Sequence, residues 1–357
     1  MHPPILLALA SLGSAQFHTP WSLISPPSGP HTDPPKLGFG TWMLDEPANA
    51  TEAVASAIEL GYRHIDCATA YQNQEAVGKG IAEGLRRTGL RREDLWVTSK
   101  LWSTRHGALV PSGLALNLKQ LGLEYLDLTL MHFPVGTTNG NKSEYDIIPT
   151  WKEMEKIVSA KNAPEAGKTR FIGISNFNVT QLEDLLKAAS IKPKVHQFEL
   201  HPYLQQTPFL ALHRTHNITV TAYAPLGDTN PAYRPGGMSG GRYTSASSAH
   251  LPQPLLTHPT LLSIGAARGC TPAQVSLAWN MARGVIVHPR AKRVDHQKEN
   301  LQAFRCPLQR EDVDRVNAIE REVVYRMWDP CPSTWGVPCY LGLGGGNEAI
   351  TLGLRRG

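Results

Sequence analysis

No apolar run in this sequence is long enough to cross a bilayer as a helix. Its five cysteines, Cys67, Cys270, Cys306, Cys331 and Cys339, have no zinc-like spacing, so no metal site is expected. A dinucleotide-binding G-x-G-x-x-G after an early strand is also missing. The glycine-rich GLGGG around Gly344 lies in the C-terminal tail and GGMSGG lies in a long loop. Neither has the strand–turn–helix context that would wrap backbone amides around a pyrophosphate. Basic residues are dense only in RAKR, Arg290–Arg293. Without a longer stripe or a reading motif, nucleic acid is not an expected partner.

What the chain does have is core-forming material. Of its 357 residues, 41% are hydrophobic and 18% charged, and the formal net charge is only +5, the balance of a globular protein with a substantial core. That length suits one large α/β domain or two ordinary ones. Residues 1–36 read as an N-terminal extension, and 326–357 as a C-terminal tail. Between them short apolar runs alternate with helical periodicity. Strands are expected at Leu37–Gly40, His64–Asp66, Leu95–Lys100, Leu126–His132, Phe171–Ser175, Val195–Glu199, Thr219–Tyr223 and Gly284–Val287. Helices are expected at Ala48–Leu60, from Gln74 onward, and at Ala108–Leu121, Thr150–Ser159, Val179–Ala188, Thr207–His216 and Pro272–Met281, the last with Thr271 as N-cap and Pro272 at the first position. Eight strands with helices between them predict a parallel α/β fold. A (β/α)8 TIM barrel over residues 37–325 is the form expected, because the glycine turn of the doubly wound dinucleotide fold is missing. Residues 228–254, rich in Gly, Ser and Pro, read as a long functional or disordered loop.

In a barrel, polar residues at strand ends converge on one mouth. Asp66 ends the second strand and Tyr71 follows it. Lys100 ends the third and His132 the fourth. Ser175 and Asn176, then Gln197 and Glu199, then Tyr223 end the next three. Any one of these alone is better explained as a helix cap, a snorkelling lysine or a satisfied core histidine. An Asp, a Tyr, a Lys and a His on three consecutive strand ends are better explained as a proton-handling site.

The motifs GFGTW, GYRHIDCATAYQNQEAVG, SKLW, LMHFP, GISNF, HPYLQQ, AYAPLG, TPAQVSLAW and KEN occur in this order from Leu37 to about Trp335. In order and spacing they resemble the aldo-keto reductases. The resemblance implies a (β/α)8 barrel that interconverts carbonyls and alcohols with a nicotinamide cofactor, held without a Rossmann motif. It implies a catalytic tetrad of Asp66, Tyr71, Lys100 and His132. Tyr71 would donate the proton, Lys100 would lower its pKa, Asp66 would hold Lys100, and His132 would orient the carbonyl. It puts Ser175, Asn176 and Gln197 on the nicotinamide carboxamide and Tyr223 beneath the ring. Gly40, Thr41, Pro225 and Leu226 would line the same cleft, and Glu299 and Asn300 would hold the adenine end. Trp42, Trp102, Phe133 and Trp335 would wall a pocket for a bulky apolar aldehyde or ketone.

The chain departs from the family's usual Pro-Lys-Ser segment. It reads Pro289-Arg290-Ala291, with His296 where an arginine is usual. Arg290, Lys292, Arg293 and His296 still supply charge for a 2′-phosphate, so NADPH is the expected cofactor, with NADH possible. The alternatives are a sugar (aldose) reductase and, in a different class, an NADPH-binding regulatory subunit. Oligomeric state, physiological substrate and direction are not legible. Two readings of compartment compete. Residues 1–15 resemble a signal peptide but lack a basic n-region. Sequons at Asn49, Asn141, Asn178 and Asn217, and the nearby pair Cys331 and Cys339, lean the same way. The balance favours the cytosol, where NADPH-linked reduction is at home, with the secretory pathway as the alternative. In the secretory case Cys331 and Cys339 are expected to form a disulfide.

Overall fold

The computed structural model of the protein describes residues 32–44, 46–138, 142–144, 147–159, 167–227 and 253–326. Ten strands are found among them: β1 Phe39–Gly40, β2 His64–Asp66, β3 Trp96–Leu101, β4 Leu126–Met131, β5 Gly136–Thr138, β6 Lys142–Glu144, β7 Thr169–Ser175, β8 Val195–Glu199, β9 Thr219–Tyr223 and β10 Ile286–Val287. The α-helices are α1 Pro47–Leu60, α2 Gln74–Thr88, α3 Val110–Leu121, α4 Ile147–Ser159, α5 Val179–Ala188, α6 Thr207–Thr215, α7 Pro259–Arg268, α8 Pro272–Ala282, α9 Val294–Leu301 and α10 Arg310–Ala318.

Eight strands form one parallel sheet in the order β1-β2-β3-β4-β7-β8-β9-β10. A parallel bridge between Leu37 and Val287 returns β10 to β1, with Gly38 N–H donating to Val287 O at 2.8 Å and Gly40 N–H to Pro289 O at 3.1 Å. The sheet therefore closes into the expected (β/α)8 barrel, which removes both edges.

The two-residue period of a strand sorts side chains to the barrel's two faces. Trp96, Leu128, Leu130 and Val195 make a small apolar cluster of their own, with Phe171 packed against it and stacked on Trp96 at 5.6 Å. These are the inward positions. Two and four residues beyond Trp96 on β3 come Thr98 and Lys100, and two beyond Val195 on β8 comes Gln197. The outward positions, among them Ile65, Val97, Leu101, Ile172, Ile174 and Phe198, join the large core under the helices. Apolar floor and polar mouth thus follow from one alternation.

Helix ends follow local chemistry. Asn178 and Gln181 form a reciprocal capping box at α5, and Thr271 and Gln274 do so at α8, with Pro272 in the first turn. α1, α2, α3 and α7 each end on a left-handed glycine. Three features were not expected from the sequence. The antiparallel β5–β6 pair is one, and α7 another. The polar helices α9 and α10 are the third: VDHQKENL and REDVDRVNA carry too few apolar residues for a clear period.

A disulfide joins Cys270 to Cys306, 36 residues apart, with the Cα atoms 5.7 Å apart. It ties the residue before the α8 N-cap to the turn that follows α9. In the chain-entropy account a loop of this length contributes about 3–4 kcal/mol. Cys67 is a free, buried thiol. The expected Cys331–Cys339 pair, Asn141, residues 1–15 and most of the 228–254 loop lie outside the described residues. Among those described, no helix is long and apolar enough to cross a membrane, and no group of side chains could hold a metal ion.

Candidate active site

Strand register brings the four expected residues together. β2 and β3 pair in parallel with Asp66 opposite Thr98, which sets Lys100 beyond the end of β2 and level with the loop that carries Tyr71. Lys100 is fully buried, and its three ammonium hydrogens have three acceptors: Asp66 Oδ2 at 2.7 Å, Cys67 O at 3.0 Å and Tyr71 Oη at 3.0 Å. Burial opposes its charge, but Asp66 and Tyr71 hold its pKa above the usual lysine range. Burial likewise opposes the Asp66 carboxylate, and Lys100, with help from Gln197, outweighs it and keeps the group below the usual aspartate range. Both groups are ionised at neutral pH.

Tyr71 differs from expectation in one respect. Burial pushes its phenol up to about 12, and Lys100, pulling the other way, does not bring it toward neutrality. The hydroxyl is fully protonated at working pH and rests against a cation able to stabilise the phenolate. His132 sits across from it, with ring centroids 5.8 Å apart. Burial, then Lys100, holds that imidazole well below its ordinary pKa, so it is neutral. Its Nδ1 is buried without a hydrogen-bond partner among the described residues.

These groups open onto a cavity of about 470 Å³. Of the expected cofactor residues, Gly40, Ser175, Asn176, Gln197, Tyr223, Pro225, Leu226 and Arg290 line it. Thr41 lies behind the wall, where its amide and hydroxyl both donate to Asp66 O, at 3.1 and 2.9 Å. Asn176 adopts a left-handed backbone, φ 63°, a conformation asparagine tolerates well. Its Nδ2 donates to His132 O at 2.9 Å and to Ser175 Oγ at 3.1 Å, and its Oδ1 accepts from the Tyr223 hydroxyl at 2.9 Å. One amide thereby locks three strand ends together.

Lys292, Arg293 and His296 are exposed at the start of α9, away from the cavity wall. Arg293 pairs with Asp295, a carboxylate that the cofactor reading did not take into account. Glu299 and the buried Asn300 follow on the same helix, which the disulfide and a Gln274 Nε2–Glu299 O hydrogen bond of 3.0 Å tie to α8. Among the expected substrate residues, Trp42 and half-buried Trp102 line the cavity. Trp42 is 40% exposed at the rim and packs on Tyr71 at 4.9 Å. Phe133 is fully buried, stacked on His132 at 5.1 Å, and does not reach the cavity wall. Trp335 lies outside the described residues.

The wall also contains residues that sequence reasoning missed, chiefly His288, Met43, Thr69, Thr104, Arg105 and Leu116. His288 was accessible to the strand-end logic used for His132, because it directly follows β10. Met43, Thr69, Thr104 and Arg105 sit on the connections after strands, whose direction no local pattern reveals, and Leu116 faces the cavity from α3.

The sequence model of the Aldo/keto reductase family matches residues 36–321. The chain belongs to that family. An aldo/keto reductase of Synechocystis is 38% identical over 304 residues, covering 82% of this chain and 87% of its own length. Mouse aldo-keto reductase family 1 member A1 is 35% identical over 306 residues, with coverage of 82% and 87%. Among solved structures, a Bombyx mori aldo-keto reductase in complex with NADP superposes with a TM-score of 0.73 at 32% identity, covering 86% of this chain and 94% of that one. Aldose reductase from Giardia lamblia gives 0.72 at 32%, covering 86% and 98%. The protein thus has an aldo-keto reductase fold of the oxidoreductase type, and Asp66, Tyr71, Lys100 and His132, the residues expected to form its tetrad, lie together at the cavity.

The buried Lys100–Asp66 pair makes a stability prediction. Asp66→Asn leaves the Lys100 ammonium buried without its counter-charge, at a cost of about 3–5 kcal/mol. Because the folded pKa of Asp66 is lowered, its contribution is complete above the ordinary carboxylate range and is lost as pH falls through the folded value. Urea unfolding should therefore separate wild type from the variant fully at pH 7, with the gap closing below about pH 4. A constant gap down to pH 3 would contradict the assignment.

Proposed function

We propose that the protein reduces a bulky, apolar aldehyde or ketone with hydride taken from NADPH. The observation that carries this reading is the Tyr71 hydroxyl, protonated and 3.0 Å from a buried ammonium, on the wall of the same cavity as His132. The residues present suit the cofactor. Gln197, Ser175 and Asn176 offer polar groups for a carboxamide, and half-buried Tyr223 offers a ring face. Gly40 lies on the wall, and because a Cβ there would lie 2.8 Å from His288 O, glycine lets the segment after β10 pack this closely against it. Arg290 supplies positive charge on the wall and is anchored by a 3.2 Å bond to Met43 O. When bound, the cofactor supplies the hydride.

The chain's own residues handle the proton. Negative charge that develops on the carbonyl oxygen is met by Tyr71, which gives up its hydroxyl proton, and the phenolate left behind lies against Lys100. Asp66 holds Lys100 charged and in place. Neutral His132 can donate one hydrogen bond to the carbonyl oxygen and fix its direction. Trp42 and Trp102 flank the entrance with apolar surface, which favours a bulky substrate over a small charged one. A sugar reductase is the second reading, favoured by the likeness to the Giardia aldose reductase. Turnover of an aromatic aldehyde compared with an aldose separates the two, and an absence of turnover with both would favour a regulatory subunit.

Tyr71→Phe should lower carbonyl reduction at least about a hundredfold while NADPH still binds, because the ring still packs but the acid is gone. Wild-type turnover of this variant at saturating NADPH would remove Tyr71 from the mechanism.

For cofactor choice, Arg290 and Arg293 are the cations assigned to the 2′-phosphate side, with Lys292 and His296 beside them and Glu299 and Asn300 at the adenine. Asp295 competes for Arg293. Alanine at both 290 and 293 should weaken NADPH about tenfold or more relative to NADH. Asp295→Asn should shift the preference the other way. Fluorescence titrations in which both cofactors change equally would count against this assignment.

On compartment, the Cys270–Cys306 disulfide supports an oxidising environment, against the cytosolic balance drawn from NADPH-linked reduction and the missing basic n-region. Asn49 and Asn217 are exposed and could carry glycan, whereas Asn178 is buried and occupied as a helix cap. The intact mass of protein from its native host tests this. Glycan on Asn49 or Asn217 with Cys270 and Cys306 joined is expected, and an unmodified chain with both thiols free would return the protein to the cytosol.

A further inference from the structure

One histidine in the barrel interior has no role in the tetrad. His288, directly after β10, is 5% exposed and lies on the cavity wall. Its ring packs edge-on against His64, centroids 4.4 Å apart, in space left by Gly38, where a Cβ would fall 2.6 Å from the His288 Cδ2. Its Nδ1 lies 3.2 Å from Gln197 Nε2 and 3.7 Å from Asp66 Oδ1. Gln197 Nε2 is also 2.8 Å from Asp66 Oδ1.

A primary amide has two N–H donors on its nitrogen and one acceptor oxygen. In Gln197 both donors are aimed at acceptors within the wall: the Asp66 carboxylate from β2 and the His288 Nδ1 from beyond β10. Asp66 alone would decide which end of the amide is nitrogen, but it would leave one N–H free and the amide able to turn about a single bond. His288 takes that second N–H and fixes the plane. To accept at Nδ1 the ring must be neutral with its proton on Nε2. Burial, opposed by Asp66, pushes the ring's pKa down to about 4, so it is neutral at physiological pH. Nε2 has no partner among the described residues, so no other contact dictates the opposite tautomer.

We infer that His288 is a positioning residue for the cofactor: together with Asp66 it consumes both N–H groups of Gln197, so that the amide shows a ligand its oxygen alone. An oxygen-only face accepts a carboxamide, which has N–H groups to donate, and repels a carboxylate at the same place. This rests on the reading of the cavity as a nicotinamide site, and it adds the reason for discrimination at the ring's side group.

The experiment uses three ligands on the full chain: NADP+, its deamido analogue with a nicotinate ring, and 2′-phospho-ADP-ribose, which has no ring. Binding is read by calorimetry and needs no turnover. In His288→Leu, NADP+ should bind about five- to tenfold more weakly, the preference over the deamido analogue should narrow, and 2′-phospho-ADP-ribose should bind as to wild type. His288→Asn, whose side-chain oxygen can stand where Nδ1 stands, should restore NADP+ affinity and discrimination. Nitrogen chemical shifts of the His288 ring should report the Nε2–H tautomer in wild type. The inference is overturned if His288→Leu keeps wild-type affinity and discrimination, or if it loses NADP+ and 2′-phospho-ADP-ribose alike. Wild type that binds 2′-phospho-ADP-ribose but not NADP+ would overturn the nicotinamide reading itself, and this inference with it.

Discussion

An ammonium group inside a barrel is tolerable only if every one of its hydrogens is met and its charge is balanced. For Lys100 the three acceptors come from the end of β2 and the loop after it: Asp66, the Cys67 carbonyl and Tyr71. Asp66 must then satisfy its second oxygen, and it does so with Gln197 from β8 on the far side. The requirement propagates. The β2–β3 register, the closure of β10 onto β1 and the depth of β8 all have to be right for one buried cation to be stable. The same set of contacts leaves the phenol of Tyr71 at the cavity, so the solution to a stability problem also places a proton donor there.

The floor of the barrel reinforces this. Trp96, Leu128, Leu130 and Val195, with Phe171 against them, form an apolar cluster on the same inward face as the polar groups. Hydrogen bonds and ion pairs at the mouth therefore act in a medium of low polarisability on their inner side, where each is electrostatically stronger and any unmet one is more costly. That environment explains the direction of the pKa shifts. Tyr71 is kept protonated, His132 and His288 are kept neutral, and the Lys100–Asp66 pair stays charged.

The outer wall follows different rules. Trp42 at the rim, Trp102 beside His132, and Arg290 come from segments that no regular period directs. Phe133 shows the difference. It is adjacent to His132 in the chain, yet strand alternation turns it outward into the main core, where it stacks behind the imidazole. It shapes the pocket by holding His132 and does not touch the cavity.

Three strands, His64–Asp66, Val195–Glu199 and Thr219–Tyr223, and the helix Val179–Ala188 were legible to the residue, because alternation, helical period and capping chemistry are local properties of the chain. The meeting of Asp66, Lys100 and His132 was legible as well, since strand ends in a parallel barrel converge, whereas the reach of Tyr71 depends on the loop after β2. Helices α9 and α10 were not, because their stability comes from what they pack against and from ties such as Cys270–Cys306. The pairing of those two cysteines, the burial that overrides Lys100 at Tyr71, the engagement of Arg293 by Asp295 and the place of His288 beside Gln197 all depend on distances between segments far apart in sequence. Residue order determined which groups stand at the ends of the strands. Only the closed barrel decided how near each stands to the next, and at these sites the electrostatics depends on that distance and on the exclusion of water.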